Sequence, residues 1–402
     1  MKGRGIKGEG LANNLYIDYG GATMKIVIAP QGFKGNLTAL KVARAIEKGV
    51  KRIVPDAVTK LKPMADGGEG TVQALVDATG GKIMVTEVTD PLGGRVKAHW
   101  GILRDKVTAV IEMASASGLP LVPKEKRNPL VTTTYGTGEL IRAALDHGCR
   151  KLIIGIGGSA TNDGGAGMAQ ALGAKLLAAN GKELPPGGAA LARLGHIDIS
   201  KLDPRLADFD VTLASDVNNP LCGPRGASAI YGPQKGATPD MVKQLDAALA
   251  HYADVIKKDL DVDFRDVPGA GAAGGLGMGL MVFLKARMIP GIDVVIKATN
   301  LVEDLKGADL VFTAEGRIDC QSAMGKVPTG VALKAKEFGA PVIALAGEVA
   351  DDCRVVFEQG IDAVLSIAPG PISLEQSMAD AEKLIANAAE CAMRLFTCKV
   401  KE

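Results

Sequence analysis

Three short apolar runs constrain this chain most: Lys25-Ile26-Val27-Ile28-Ala29, Asp309-Leu310-Val311-Phe312-Thr313 and Pro341-Val342-Ile343-Ala344-Leu345-Ala346. Each breaks off into a loop dense in glycine or charge. Runs of this length, without polar alternation, read as strands buried on both faces, and such strands belong to parallel sheets covered by helices. Helical spacing fills the intervals. Leu37, Leu40, Ala43, Ile46, Val50 and Ile53 recur on one face, with Asn36 placed to cap the start and Pro55 to end the helix. Ser373 and Gln376 form a capping box for a final helix reaching Leu395.

The middle of the chain reads differently. Between about residues 83 and 122, β-branched segments are broken by Pro91-Leu92-Gly93-Gly94 and by Arg104-Asp105, a pattern of antiparallel strands. Lys151-Leu152-Ile153-Ile154 is a buried strand entering the glycine-rich Gly155 to Gly165, and Gly269 to Gly277 is a second such loop with a helix behind it. At 402 residues the chain exceeds the size at which one core keeps growing. The expectation is therefore α/β with two domains: a discontinuous Rossmann-like parallel-sheet domain, residues 24–90 and 285–402, and an inserted second α/β domain, residues 91–284. Residues 1–23, polar and without an apolar signal core, are expected to be a leader, disordered or appended, before a start at Met24.

Charge and composition exclude several classes. A net charge of +2 offers no field for nucleic acid or an anionic membrane. No apolar run is long enough to span a bilayer. Six scattered cysteines without a CxxC pair read as reduced thiols of a cytoplasmic protein, and the four histidines make no zinc motif. The 51 glycines suit tight turns and close backbone approach. Oligomeric state is not encoded in any pattern here.

Nucleotide signatures mostly fail. Gly325-Lys326 is followed by Val327, so no Walker sequence is present, and Gly269-Ala270-Gly271-Ala272-Ala273-Gly274 matches a dinucleotide fingerprint but follows Asp266-Val267-Pro268, which is no strand. That makes a hydroxy-acid dehydrogenase the weakest reading. The acids are more informative by position. Asp66, Glu69, Asp216, Glu315 and Asp319 each fall in a loop just after an apolar strand, and Lys34, Arg317 and Lys326 occupy equivalent places. Phosphoryl transfer needs such a set: oxygen ligands for Mg²⁺, cations for phosphates, and a carboxylate for the hydroxyl proton. Taken singly, each acid reads more readily as a helix cap or a surface ion-pair partner; their repeated placement after strands points to a shared cleft.

Seven ordered segments, from KIVIAPQGFKGNLTALKVARAIEKG through PMADGGEGT, GIGGSATNDGG, ASDVNNPLCGP, YGPQKGA and GAGAAGGLG to AEGRIDCQSAMGKVPTGVA, resemble the bacterial glycerate kinases that phosphorylate D-glycerate. The resemblance runs from Met24 to the C-terminal helix. It implies a two-domain kinase using ATP and Mg²⁺, with 2-phosphoglycerate as product and phosphorylation of the 3-hydroxyl as the alternative. On this basis Lys34 and Lys326 are expected at phosphates, with Gly269 and Gly271 on the cofactor side. Asp66, Glu69 and Asp216 are expected near Mg²⁺, Arg317 and Glu315 at the substrate, and Asp319 at the hydroxyl proton. Two roles stay open: Arg317 could stabilise the transferring phosphoryl group, and Glu315 could be the base. The chain departs from the family pattern at Gln31-Gly32, where the family has Asp-Ser, at Asn36, where it has Ser, and at Asn218, where it has Asp. Those departures leave room for a sensor that binds without turnover.

Overall fold

The computed structural model describes residues 23–323 and 325–398; apart from Thr23, the expected leader lies outside them. The chain enters with β1 (Lys25–Ile28) and β2 (Val58–Leu61), separated by the helix Ala39–Ile53. It then leaves this first sheet for β3 (Lys82–Thr89), β4 (Arg95–Ile102), β5 (Thr108–Glu112), β6 (Lys151–Gly155), β7 (Lys175–Ala178), β8 (Leu194–Asp198), β9 (Asp210–Ala214) and β10 (Arg287–Ile289). It returns with β11 (Leu310–Ile318), β12 (Val342–Val349) and β13 (Ala363–Ser366).

The first sheet is five-stranded, in the order β13-β12-β11-β1-β2, and parallel throughout. Counted along the chain this is the doubly wound order 2-1-3-4-5, with its reversal between β1 and β11. The three apolar runs are its central strands, as expected. The second sheet has six strands, β10-β9-β6-β5-β4-β3, of which β5, β6, β9 and β10 are parallel and β3-β4-β5 antiparallel.

Three cores divide the molecule into five layers. Helices Ala39–Ile53 and Ala381–Phe396 cover the outer face of the first sheet, where Ile26, Ile28, Ile46 and Ile385 are buried together. Helices Tyr135–Asp146, Pro239–Leu260 and Leu276–Leu284 cover the outer face of the second. Between the sheets lies a shared helical layer. Val72, Leu75 and Val76 of helix Thr71–Thr79 and Val295 of helix Gly291–Thr299 join Val27 and Val311 of the first sheet to Val110 of the second in one apolar cluster.

This geometry moves the expected boundaries. Pro91 to Gly94 is the hairpin turn joining β3 to β4, closed by Asp90 N donating to the Gly94 carbonyl at 2.9 Å. β3 and β10 both belong to the second sheet, so the crossings fall at Gly80-Gly81 and at Pro290 rather than at 90/91 and 284/285. Two caps also differ. Thr38, not Asn36, caps the first helix, accepting from Lys41 N at 3.4 Å, because Asn36 still belongs to the turn closed by Phe33 and Leu37. Ser373 accepts from Gln376 N at 3.1 Å, but the Gln376 side chain turns to Asp380, where the final helix breaks.

Candidate active site

Ligands in doubly wound sheets bind outside the carboxyl ends of the strands, where the strand order reverses. Here that point is the gap between the ends of β1 and β11. A crevice of about 420 Å³ opens there, lined among others by Lys34, Glu315, Arg317, Asp319 and Lys326. The expected cluster is thus brought together, but its backbone differs from expectation. β11 does not stop at Thr313; its pairing with β12 continues through Glu315↔Ala346 to Ile318↔Val349. Glu315 and Arg317 therefore project from a strand, a more rigid support than a loop.

Glu315 is largely buried. Ser322 Oγ donates to its Oε2 at 3.2 Å, and Lys326 Nζ stands 3.6 Å from its Oε1. Burial holds the Glu315 carboxyl above the ordinary range; Asp66 adds repulsion, while Lys326, Ser322 and Lys34 oppose. Arg317 is exposed and forked between two acids: Nε meets Asp319 Oδ2 at 3.2 Å and Nη1 meets Glu348 Oε1 at 3.1 Å. Asp319 is tied further by Gln321 N at 3.0 Å. Lys326 occupies the N-cap position of the helix Val327–Lys336 without a side-chain capping bond, and its ammonium reaches toward the Glu315 carboxylate instead.

The loop after β2 carries Asp66 into the space between the two sheets. Asp66 Oδ2 accepts from Gln31 Nε2 at 3.2 Å, and its Oδ1 from Gly68 N at 3.2 Å. Asp216, beyond the end of β9, accepts from Gly291 N at 3.0 Å. Desolvation raises the Asp216 pKa first; the Gly291 amide opposes, and Asp66 and Asp293 add repulsion. Gly291 joins the two acids, since a Cβ on it would stand 1.9 Å from the Asp66 carbonyl oxygen.

The expected metal trio comes together only in part. Glu69 is exposed on the Lys34 side of the loop, lining a second opening with Phe33 and Gly70. Among the described residues no three acidic, histidine or cysteine side chains form a group that could hold a metal. Mg²⁺, however, commonly takes one or two carboxylates and completes its shell with water and phosphate oxygens. Asp66 and Asp216 suit that mode, and the buried Gln31 Oε1 beside Asp66 has no partner among the described residues. The donor set fits the ion.

Gly269 and Gly271 do not offer their amides to a cofactor. Both donate to the Asn219 carbonyl, at 3.2 and 3.0 Å, and a Cβ on Gly271 would stand 2.1 Å from the Pro220 carbonyl oxygen. Their glycines serve the packing of two loops. Lys235, which the residue-by-residue reading passes over, is buried at the ends of β6 and β9 instead.

The fold is of the doubly wound α/β class, and its strand ends gather acids and cations around one crevice. A family model described as the glycerate kinase family matches residues 26–397. The chain belongs to the glycerate kinase family, and membership makes it a kinase with a nucleotide substrate. It is 57% identical over 366 residues to a glycerate 2-kinase of Escherichia coli, covering 91% of this chain and 96% of that one. A glycerate kinase of Haemophilus influenzae is 55% identical over 376 residues, 94% of this chain and 100% of that one. The crystal structure of a glycerate kinase 2 candidate from Salmonella typhimurium LT2 superposes with a TM-score of 0.86 at 51% identity, covering 93% of this chain and 98% of that one. No described helix is long and apolar enough to cross a membrane.

Proposed function

We propose that the protein transfers the γ-phosphoryl group of ATP to the 2-hydroxyl of D-glycerate. The observation that carries this reading is the crevice at the β1/β11 reversal, where Lys34, Arg317 and Lys326 face Glu315 and Asp319. The name of the Escherichia coli relative supports the 2-position.

The geometry supports the following roles. Arg317 binds the glycerate carboxylate through its planar fork, exchanging Glu348 or Asp319 for the substrate. Glu315 suits the base better than Asp319. Its pKa is raised, which strengthens it as a proton acceptor, whereas the Asp319 carboxylate is engaged by Arg317 and Gln321. Asp319 is then the residue that orients Arg317. Lys34 and Lys326 take phosphate oxygens. Asp66 and Asp216 would hold Mg²⁺, which when bound neutralises charge on the phosphates. Little covalent chemistry is left to the protein, so positioning and charge carry the rate.

The test is direct. Incubation with ATP, Mg²⁺ and D-glycerate should release ADP only when glycerate is present, and the phosphorus spectrum should show 2-phosphoglycerate. A 3-phospho product would overturn the regiochemistry; binding of both ligands without turnover would support the sensor.

A further inference from the structure

A further concavity, of about 140 Å³, lies at the carboxyl ends of β6 and β9, on the far side of the Asp66–Gly70 loop from Lys34. Lys235 forms part of its wall and is only 2% exposed. Its Nζ donates to Ser159 Oγ at 2.8 Å and to the Thr161 carbonyl at 2.6 Å. An ammonium carries three protons, so one donor remains. No carboxylate oxygen among the described residues comes within ion-pair distance of it. Asp163, the acid whose field reaches it, spends its oxygens on Thr134, Gly165 and Gly167. A buried cation without a counter-anion is costly, and burial pushes the Lys235 pKa down to about 7.

The turn after β6 supplies matching donors. The amides of Gly157, Gly158 and Ser159 have no protein acceptor among the described residues, and Gly158 adopts φ 74°. Successive free amides around such a residue form a concave nest for anions. Gly157 and Gly158 are exposed at the opening, while Ser159 is buried against Lys235.

We infer that this pocket is an oxyanion subsite, in which one carboxylate or phosphate group sits between the Gly157–Ser159 amides and the Lys235 ammonium. A pocket of this size takes a single such group on a short carbon chain, not a whole nucleotide. The inference rests on the proposed kinase reading only for the two anions worth offering: a phosphate of the nucleotide, and the carboxylate of glycerate, whose capture here would take it from Arg317. The subsite faces the Asp66 loop, since a Cβ on Gly157 would lie 3.6 Å from Gly68 Cα. An anion held there would approach Asp66 from the side opposite Lys34.

The experiment uses the full chain, with Lys235→Met and Gly157→Ala. Inorganic phosphate and D-glycerate are titrated separately by calorimetry, with thermal unfolding in parallel. The parent should bind at least one of the two; loss on the phosphate arm assigns the nucleotide, loss on the glycerate arm the substrate. Lys235→Met should lower that affinity at least tenfold while keeping Tm, because it removes an uncompensated buried charge. Gly157→Ala leaves the lysine in place and adds a methyl in ordinary van der Waals contact, so it should weaken the same anion severalfold with Tm unchanged. If Lys235→Met does not fold, Gly157→Ala decides. A parent that binds neither anion, or a Gly157→Ala variant that binds as the parent does, overturns the subsite and leaves Lys235 a fastening between Ser159 and Thr161. Kinase turnover with unchanged KM values in both variants would keep the proposed reaction and remove the subsite. Variant-sensitive anion binding without turnover would do the reverse.

Discussion

The Gln31 side-chain amide donates to Asp66 Oδ2 at 3.2 Å, joining the loop after β1 to the loop after β2 across the mouth of the crevice. Gln31 is buried, so its hydrogen bond fixes Asp66 rather than decorating the surface. Gln31→Asp would set two carboxylates against each other. Without a cation, one must take up a proton or the loops must part, and Tm at pH 7 should fall; losing a buried hydrogen bond costs about 1–3 kcal/mol. Mg²⁺ should raise the Tm of the variant more than that of the parent. An equal response of both proteins to Mg²⁺ would remove Asp66 from the metal's neighbourhood.

Glu315→Gln should lower kcat by about 10²- to 10⁴-fold, the usual contribution of a general base. Asp319→Asn should act chiefly through KM for glycerate by loosening Arg317. Because the Glu315 pKa is raised above 4.5, the acid limb of the parent's pH–rate profile should lie above the ordinary carboxylate range and persist in Asp319→Asn. If Asp319→Asn carries the larger kcat loss, the two roles are exchanged.

The same shift has a stability consequence. A carboxyl whose folded pKa is raised binds its proton more tightly when folded, so its favourable contribution is full below the unfolded pKa and is lost as pH rises through the folded value. Glu315→Gln has no such loss. Relative to the parent, the variant should therefore gain stability as pH is raised from about 4 to 7, measured by urea unfolding at each pH. A difference independent of pH would contradict the shift.

Arg317→Lys should raise KM for glycerate and leave KM for ATP nearly unchanged. An ammonium cannot reproduce the two-toothed contact of a guanidinium, and hydrogen bonds to charged groups contribute about 1.5–3 kcal/mol. Stability should hardly move, since the guanidinium's present partners are exposed pairs, typically contributing about 0–1 kcal/mol. A rise confined to KM for ATP would place Arg317 at the phosphates.

Gly291→Ala should damage both fold and site. The new Cβ would overlap the Asp66 carbonyl, whereas Gly316→Ala, inside the crevice, meets only Phe33 Cα at 3.9 Å. Overpacking of this kind costs about 1–3 kcal/mol. Thermal unfolding of the two variants should differ accordingly, and Gly291→Ala should also weaken Mg²⁺ dependence by displacing Asp66 from Asp216.

What could be read from the residues follows physical lines. β1, β11 and β12 were legible because strands buried on both faces are continuous apolar runs. The end of β11 was not, since Ala-Glu-Gly-Arg looks like a loop; its pairing with the extended β12 keeps it a strand. The break at Pro91 to Gly94 was legible as a turn between antiparallel strands; that β3, ahead of it, already belongs to the second sheet was not, since only its pairing with β4 carries it there. Gly269 and Gly271 carry a binding pattern whose amides the fold spends on Asn219. Lys235 was invisible to composition because lysines are expected at the surface. Its signal was a place in Tyr-Gly-Pro-Gln-Lys-Gly, a tight turn that draws the side chain inward.

The Thr313 hydroxyl donates to the Ala29 carbonyl across 284 positions of chain. During synthesis from the N-terminus, β1 therefore leaves the ribosome long before its central neighbour exists. The strands of the second sheet, with the separate β7-β8 ribbon among them, all lie in one stretch from β3 to β10 and can fold while β1 and β2 wait. A chain arrested before β11 would present the β1 edge unpaired, an open template for aggregation. The crevice between β1 and β11 is among the last features of the molecule to form, so a nascent chain cannot trap its substrates before the C-terminal third has been made.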